Sequence, residues 1–462
     1  MKNSRLLLCP KGVRRMSLRL AAGALALLGV AVVAPTTGHA AAASDGTPDT
    51  AFSAATGTGF DSSLAGLVVQ TTGKIVAWGS FTQLNGASTA ELARLNSNGS
   101  PDTAFTTNLG TGVNNTLFAV AVDSTDRLLV GGNLTSLNSV SVGRFARLNA
   151  DGTPDTTFNA ALGTGFDGAV RAIAVQTDGK IVVGGSFTQY QSTAVPRLAR
   201  LNADGTLDTT FNTNLGTGLD AYVSEIVIDA DGRILIGGDF TSLNSASVGR
   251  LARLNANGTP DTTFNTALGA GLNNNPLAVT VLGDGKIVVG GSFSQFNGTA
   301  ANHIVRIGAD GTRDTAFDAA FGTNGLDGAV WVILRQYDGE IVIGGSFTNR
   351  DSTPVKRVIR LNTDLTWDTA FGTNQGTGFD DEVYALAFQS GGAIVVGGYF
   401  QALNEVTSNR IGRLTNDDPK PALPPLGANT TVVLVVGLMV LALGITTQHV
   451  ARRQVVRVRR RR

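Results

Sequence analysis

The tetrapeptide Asp-Thr-x-Phe recurs along this chain, with its Phe at Phe52, Phe105, Phe158, Phe211, Phe264, Phe317 and Phe371. Five intervals are 53 residues and the last is 54. A period of this size marks a chain that stacks one supersecondary unit on copies of itself, because a single unit cannot bury its own apolar face.

The copy running from Asp204 to Asn255 is typical. Tyr222 to Ile228 and Arg233 to Ile236 are apolar runs separated by Asp231-Gly232, a pair that tolerates positive φ and suits a tight turn. Gly237-Gly238 ends the second run, and Leu251 to Asn255 forms a third. Asn257-Gly258 then turns the chain into Asp261-Thr262-Thr263-Phe264, read as a fourth strand. Val, Ile, Thr and Phe dominate, Gly recurs every few residues, and no window sustains a 3.6-residue period. Four-stranded antiparallel sheets with almost no helix are the expectation.

The inner runs are apolar on both faces: Val170, Ala172 and Ala174 on one, Ile173 and Val175 on the other. A strand buried on both sides needs sheets packed above and below it, as in a β-propeller. The expected fold is therefore all-β, a propeller of seven four-stranded blades over residues 44–416. The first copy starts with an outer segment, Asp45 to Phe52, and the last ends at a third strand, Ile411 to Leu414. The N-terminal strand is thus expected to complete the last blade and remove the exposed edges. A linear β-solenoid is the alternative.

Asp-Gly-Thr-x-Asp-Thr-x-Phe, then a hydrophobic-Gly-Gly-x-Phe strand, then Ala-Arg-Leu-Asn, resembles the delta-60 repeat family across about Asp45 to Thr415. The resemblance implies a bacterial or environmental β-propeller and carries over no catalytic residue. The Gly-Gly pair is also similar to kelch repeats, whose downstream Tyr and Trp are missing here. Trp78, Asn133-Leu134 and Leu365 depart locally from the pattern.

The ends read as addresses. Residues 1–43 resemble a secretory signal, with basic Lys2 to Arg19, an apolar Leu20 to Val33 and small residues around Ala40. Residues 417–427 form a Pro-rich linker and 428–447 an uncharged span long enough to cross a bilayer as a transmembrane helix. The arginine-rich tail, 448–462, is expected to stay cytoplasmic. Leu423 to Gly427 resembles a cell-wall sorting motif in which Leu426 replaces the Thr that is cleaved. Cys9, the sole cysteine, lies in the leader, so the body has no thiol chemistry.

Between the ends lie 22 basic and 35 acidic residues, a net charge of −13. An acidic body argues against nucleic acid as a partner. His303 is the body's one histidine, which excludes multi-His sites within one chain, and it is expected on a surface strand. Arg94, Arg147, Arg200, Arg253, Arg306 and Arg360 each precede a motif Asp by eight residues: Asp102, Asp155, Asp208, Asp261, Asp314 and Asp368. These are expected to form structural ion pairs, with Arg413 meeting Asp49 through the ring closure. Asp-Gly-Thr-x-Asp lacks the ligand spacing of calcium loops, so no metal and no cofactor are expected.

Gly-Thr-Gly turns precede Asp61, Asn114, Asp167, Asp220, Asn273, Asp327 and Asp380, with local departures. These seven are expected around the central channel as a polar ring able to hold a sugar, a cation or a peptide. No catalytic residue is assigned. The expectation is a monomeric, surface-anchored module binding an extracellular glycan or protein. The alternative is a carbohydrate-active enzyme using channel carboxylates, with Asp380, Asp381 and Glu382 the least repetitive cluster.

Overall fold

A computed structural model describes residues 45–322, 325–389 and 391–416. The expected leader, linker, membrane span and basic tail lie outside the described residues, among which no helix is long and apolar enough to cross a membrane. The repeat region forms one compact unit.

Each copy folds into a three-stranded antiparallel sheet and a separate two-residue-per-strand hairpin, seven of each among the described residues. In the third copy the inner strand Val170–Val175 pairs with Ile181–Gly185, which pairs with Leu198–Leu201, and Gln189–Tyr190 with Thr193–Ala194 forms the hairpin. Six of the seven middle strands end in Gly-Gly because neither position has room for a side chain there, and the first ends in Trp78-Gly79. A Cβ on Gly184 meets the next sheet's Val223 at 2.7 Å, and one on Gly185 meets the Ala169 carbonyl at 2.0 Å.

The expected fourth strand is corrected. Asp-Thr-x-Phe opens a short helix, as at Thr50–Thr56 and Thr209–Leu215. The motif Asp is its N-cap and accepts the Phe backbone N–H, which satisfies a donor the helix cannot pair internally. Helices of 6 or 7 residues are too short to display a periodic stripe, so the 3.6-residue signal never develops. What remains of the fourth strand is one bridge per copy, such as Leu201 with Leu207.

Apolar clusters join successive sheets, for example Val68 and Val76 of the first with Leu117 and Val130 of the second. Leu64, Leu67 and Val69 of the first sheet likewise share a core with Ala385, Val395 and Ile411 of the seventh. The chain start reinforces this closure: Pro48 bridges Leu414, and Asp49 N–H donates to the Arg413 carbonyl at 2.8 Å. The result is an all-β, propeller-like fold of repeated blades whose last sheet packs on its first.

Candidate functional site

Three rings of side chains repeat around this fold: one is constant, one alternates between Asp and Asn, and one differs in every copy.

The first ring is the Arg–Asp pair. Arg200 Nε donates to Asp208 Oδ2 at 3.0 Å, and Asp208 Oδ1 caps Phe211 N at 3.2 Å. The guanidinium lies 4.4 Å from the centre of the Phe211 ring, and Nη1 reaches the Ala256 carbonyl of the next copy at 2.6 Å. The same pairing joins Arg94 to Asp102, Arg147 to Asp155, Arg253 to Asp261, Arg306 to Asp314, Arg360 to Asp368 and Arg413 to Asp49. One network thus explains both conserved letters of the motif, the Asp as cap and counter-ion and the Phe as a platform under the cation. Burial raises the Asp208 pKa, but hydrogen bonds from Lys180, Phe211 N and Arg200 outweigh it and hold the carboxyl below its usual range.

The second ring contains the Asp and Asn residues expected around the channel. Asp167 Oδ1 accepts Thr188 N and Gln189 N at 2.8 and 2.9 Å, while Oδ2 accepts the Thr188 hydroxyl at 2.6 Å. Asp61, Asp220 and Asp327 do the same for their own hairpins. Asn114 and Asn273 accept the two N–H groups through Oδ1 and donate Nδ2 to the hydroxyl of Thr135 and Ser294. A hydroxyl can donate or accept, which is why Asp and Asn interchange here. Asp380 caps Gln401 and Ala402, where no hydroxyl is offered. These side chains are spent on fixing hairpins, and none lines the cavity described next.

The Asp-Gly-Thr turns are equally self-contained. Asp204 Oδ1 accepts both the N–H and the hydroxyl of Thr206, at 3.0 and 2.7 Å. Among the described residues, no group of three or more His, Cys, Asp or Glu is gathered for a metal. His303 sits in a turn with φ of 70°, not on a strand, and its Nδ1 lies 3.1 Å from the Gly291 carbonyl.

The third ring lines a bore of about 350 Å³ walled by the inner strands of all seven sheets. Each inner strand carries a bulge one residue after its start, as between Val170 and Ala172. A bulge re-aims the extra residue. That residue is Ala65, Phe118, Arg171, Ser224, Leu277, Trp331 and Tyr384 in turn, and each lines the bore. The residue before it, by contrast, is a buried Leu, Val or Pro in all copies.

The chemistry of the bore is distinctive. The Arg171 guanidinium lies 4.9 Å from the Phe118 ring centre and 4.6 Å from that of Tyr222, and Nε donates to the Ser186 hydroxyl at 3.0 Å. Trp331 and Tyr384 meet edge to face at 5.4 Å, and the Tyr384 hydroxyl donates to Glu382 Oε2. Asp381 caps Glu382 N at 2.8 Å, so both acidic neighbours of Asp380 are also engaged. Glu225 stands where the other copies have Gly66, Ala119, Ala172, Ala278, Val332 and Ala385. It lines the bore, and burial pushes its carboxyl up to about 8. The Trp78 and Trp331 indole N–H groups are shielded and have no hydrogen-bond partner among the described residues.

Sequence reasoning missed Arg171, Glu225, Trp331 and Tyr384. Aligning the seven copies and asking which inner-strand position changes would have found them.

No curated protein matches this sequence. In fold the chain is similar to the WD40 β-propeller domain of Doa1, at 15% identity and a TM-score of 0.42, over 78% of this chain and 95% of that one. It is similar to the extracellular domain of a putative hybrid two component system from B. thetaiotaomicron, at 14% identity and a TM-score of 0.45, over 82% of this chain and 43% of that one. A virginiamycin B lyase from Staphylococcus aureus matches at 14% identity and a TM-score of 0.40, over 77% of this chain and 96% of that one. Residues 70–105, 124–158, 176–211, 230–264, 282–317 and 336–371 each match the family described as "Domain of unknown function (DUF5122) beta-propeller", a repeat family of propeller blades.

Proposed function

We propose that this chain is a seven-bladed propeller, displayed on the cell surface, that binds an extracellular glycan or protein and catalyses no reaction. The carrying observation is where the copies differ. Motif aspartates and hairpin aspartates are committed to caps and ion pairs, while the bulge position that faces the bore holds a different residue in every copy. Variation at a concave surface on a regular scaffold suits recognition. The signal-like leader, the uncharged span at 428–447 and the basic tail support export and anchoring, and the acidic body supports a partner other than nucleic acid.

The test is a glycan and protein array probed with the full chain. Saturable binding to one class supports the reading, and silence on every array, with the protein shown to be folded, overturns it.

A second reading, a carbohydrate-active enzyme, rests on Glu225, a carboxyl lining the bore whose pKa burial raises towards neutrality, as a general acid requires. Turnover of chromogenic glycosides by the full chain, lost in Glu225→Gln, would favour it over binding alone.

A further inference from the structure

We propose that the bore is the ligand site, and that it takes a small acidic sugar, a pyranose bearing a carboxylate. This rests on reading the chain as a binding module and adds where the ligand sits and what chemistry selects it.

Arg171 supplies the anion contact. Two rings and the Ser186 hydroxyl hold its guanidinium, and its terminal nitrogens have no acceptor among the described residues. A guanidinium immobilised in this way presents a fork matched to a carboxylate, with little further ordering on binding. Among the described residues it pairs with no acidic side chain, unlike the motif arginines, each of which has its own Asp.

Trp331 and Tyr384 supply the second element. Their edge-to-face pair lines the same cavity and keeps the ring of each fixed. A rigid aromatic face, apolar with a polar edge, suits the C–H face of a pyranose.

Glu225 supplies the third. A charged carboxylate there would repel an anion, but a protonated one both donates and accepts hydrogen bonds, as sugar hydroxyls require. A cavity of about 350 Å³ is of small-molecule size and too small for a folded partner.

The experiment titrates the full chain with methyl β-D-glucuronide and methyl α-D-galacturonide, and with the neutral glucoside and galactoside, by calorimetry and tryptophan fluorescence. Two of the chain's three tryptophans line the bore. An acidic sugar is expected to bind more tightly than its neutral twin. Arg171→Gln should weaken that binding by about tenfold or more, as loss of a charge-assisted contact does. Ser224→Trp, which fills the bore, should abolish it while the melting temperature is kept; Leu277→Trp serves if that variant fails to fold. The proposal is overturned if neither acidic sugar binds, if the neutral sugars bind equally well, or if Arg171→Gln leaves affinity unchanged. A different glycan or a protein whose binding ignores the plug keeps the binding-module reading and overturns the bore as its site.

Discussion

Arg413 donates from Nε and Nη2 to Asp49 Oδ2 at 2.9 and 2.7 Å, joining residues 364 positions apart in the chain. Asp49 Oδ1 meanwhile caps Phe52 N at 3.0 Å, and the guanidinium lies 4.6 Å from the Phe52 ring centre. The knot that elsewhere ties each copy to the start of the next here ties the end of the repeat array to its beginning. Nη1 also reaches Ser97 of the first copy at 2.8 Å.

Asp49→Ala removes the cap, the ion pair and part of this closure together. A cap contributes about 1 kcal/mol and a partly buried pair about 1 to 3 kcal/mol. Urea unfolding is expected to show a loss of about 2 to 4 kcal/mol on that basis. Asp49→Asn keeps an oxygen on Phe52 N and should lose roughly half as much. A loss below about 0.5 kcal/mol for the alanine variant, the size of an ordinary surface change, would remove the closure from the stability argument.

Acid should unfold the domain over a defined range. Burial raises the carboxyls of Asp102, Asp155, Asp208, Asp261 and Asp314, yet their hydrogen bonds and arginine partners leave each one lowered overall. A depressed pKa contributes stability that is complete above the unfolded value, about 3.9, and is lost as pH falls through the folded value. The melting temperature should therefore drop steeply below about pH 4. Asp208→Asn should flatten that drop and lower the melting temperature at pH 6. An unaltered acid limb in that variant would show that the pairs do not govern it.

Gly66 and Trp78 face each other across the first sheet, where other copies pair an Ala, Val or Glu with Gly. A Cβ on Gly66 would lie 1.9 Å from the Trp78 ring, so the large residue on one strand requires the small one opposite. Gly66→Ala alone should cost about 1 to 3 kcal/mol, the usual range for overpacking. Adding Trp78→Gly restores the pattern of the third copy and should recover part of that loss. A double-mutant cycle measures the coupling, and strictly additive effects would contradict it.

The repeat and the inner and middle strands were legible because period, strand propensity and turn residues agreed. Asp-Thr-x-Phe was misread as a strand because its helix is shorter than the window in which helical periodicity shows. The Arg–Asp spacing of eight residues was legible as a pairing, but its links to the following copy were not, since a carbonyl acceptor such as that of Ala256 leaves no trace in residue type. The hairpin Asp and Asn residues look like a ligand ring in sequence because a capping carboxylate and a binding carboxylate are the same letter. Only the Thr188 and Gln189 backbone groups, 21 and 22 positions after Asp167, reveal the cap. Arg171 and Glu225 were obscured for the opposite reason: each occurs once, and a motif search looks for what repeats.

Glu225 should leave its own mark at higher pH, separate from the aspartates. It shares the bore with Arg171 and Tyr384, but desolvation alone accounts for its rise to about 8. A raised acid pKa means the folded state keeps a proton that the unfolded chain releases from about pH 4.3 upward. Stability is then greatest near or below that value and declines as pH rises towards the folded value of about 8, beyond which both states are ionised and the slope vanishes. Glu225→Gln preserves shape and hydrogen bonding without the charge. Its melting temperature should exceed that of the unaltered protein slightly near pH 5 and increasingly up to about pH 8, and run parallel above that. Thermal melts at intervals from pH 5 to 9 measure this, with infrared difference spectra of the carboxyl band reporting the titration directly. Parallel curves across the whole range would mean that water in the bore solvates the carboxylate, and that the neutral hydrogen-bonding role given to Glu225 is wrong.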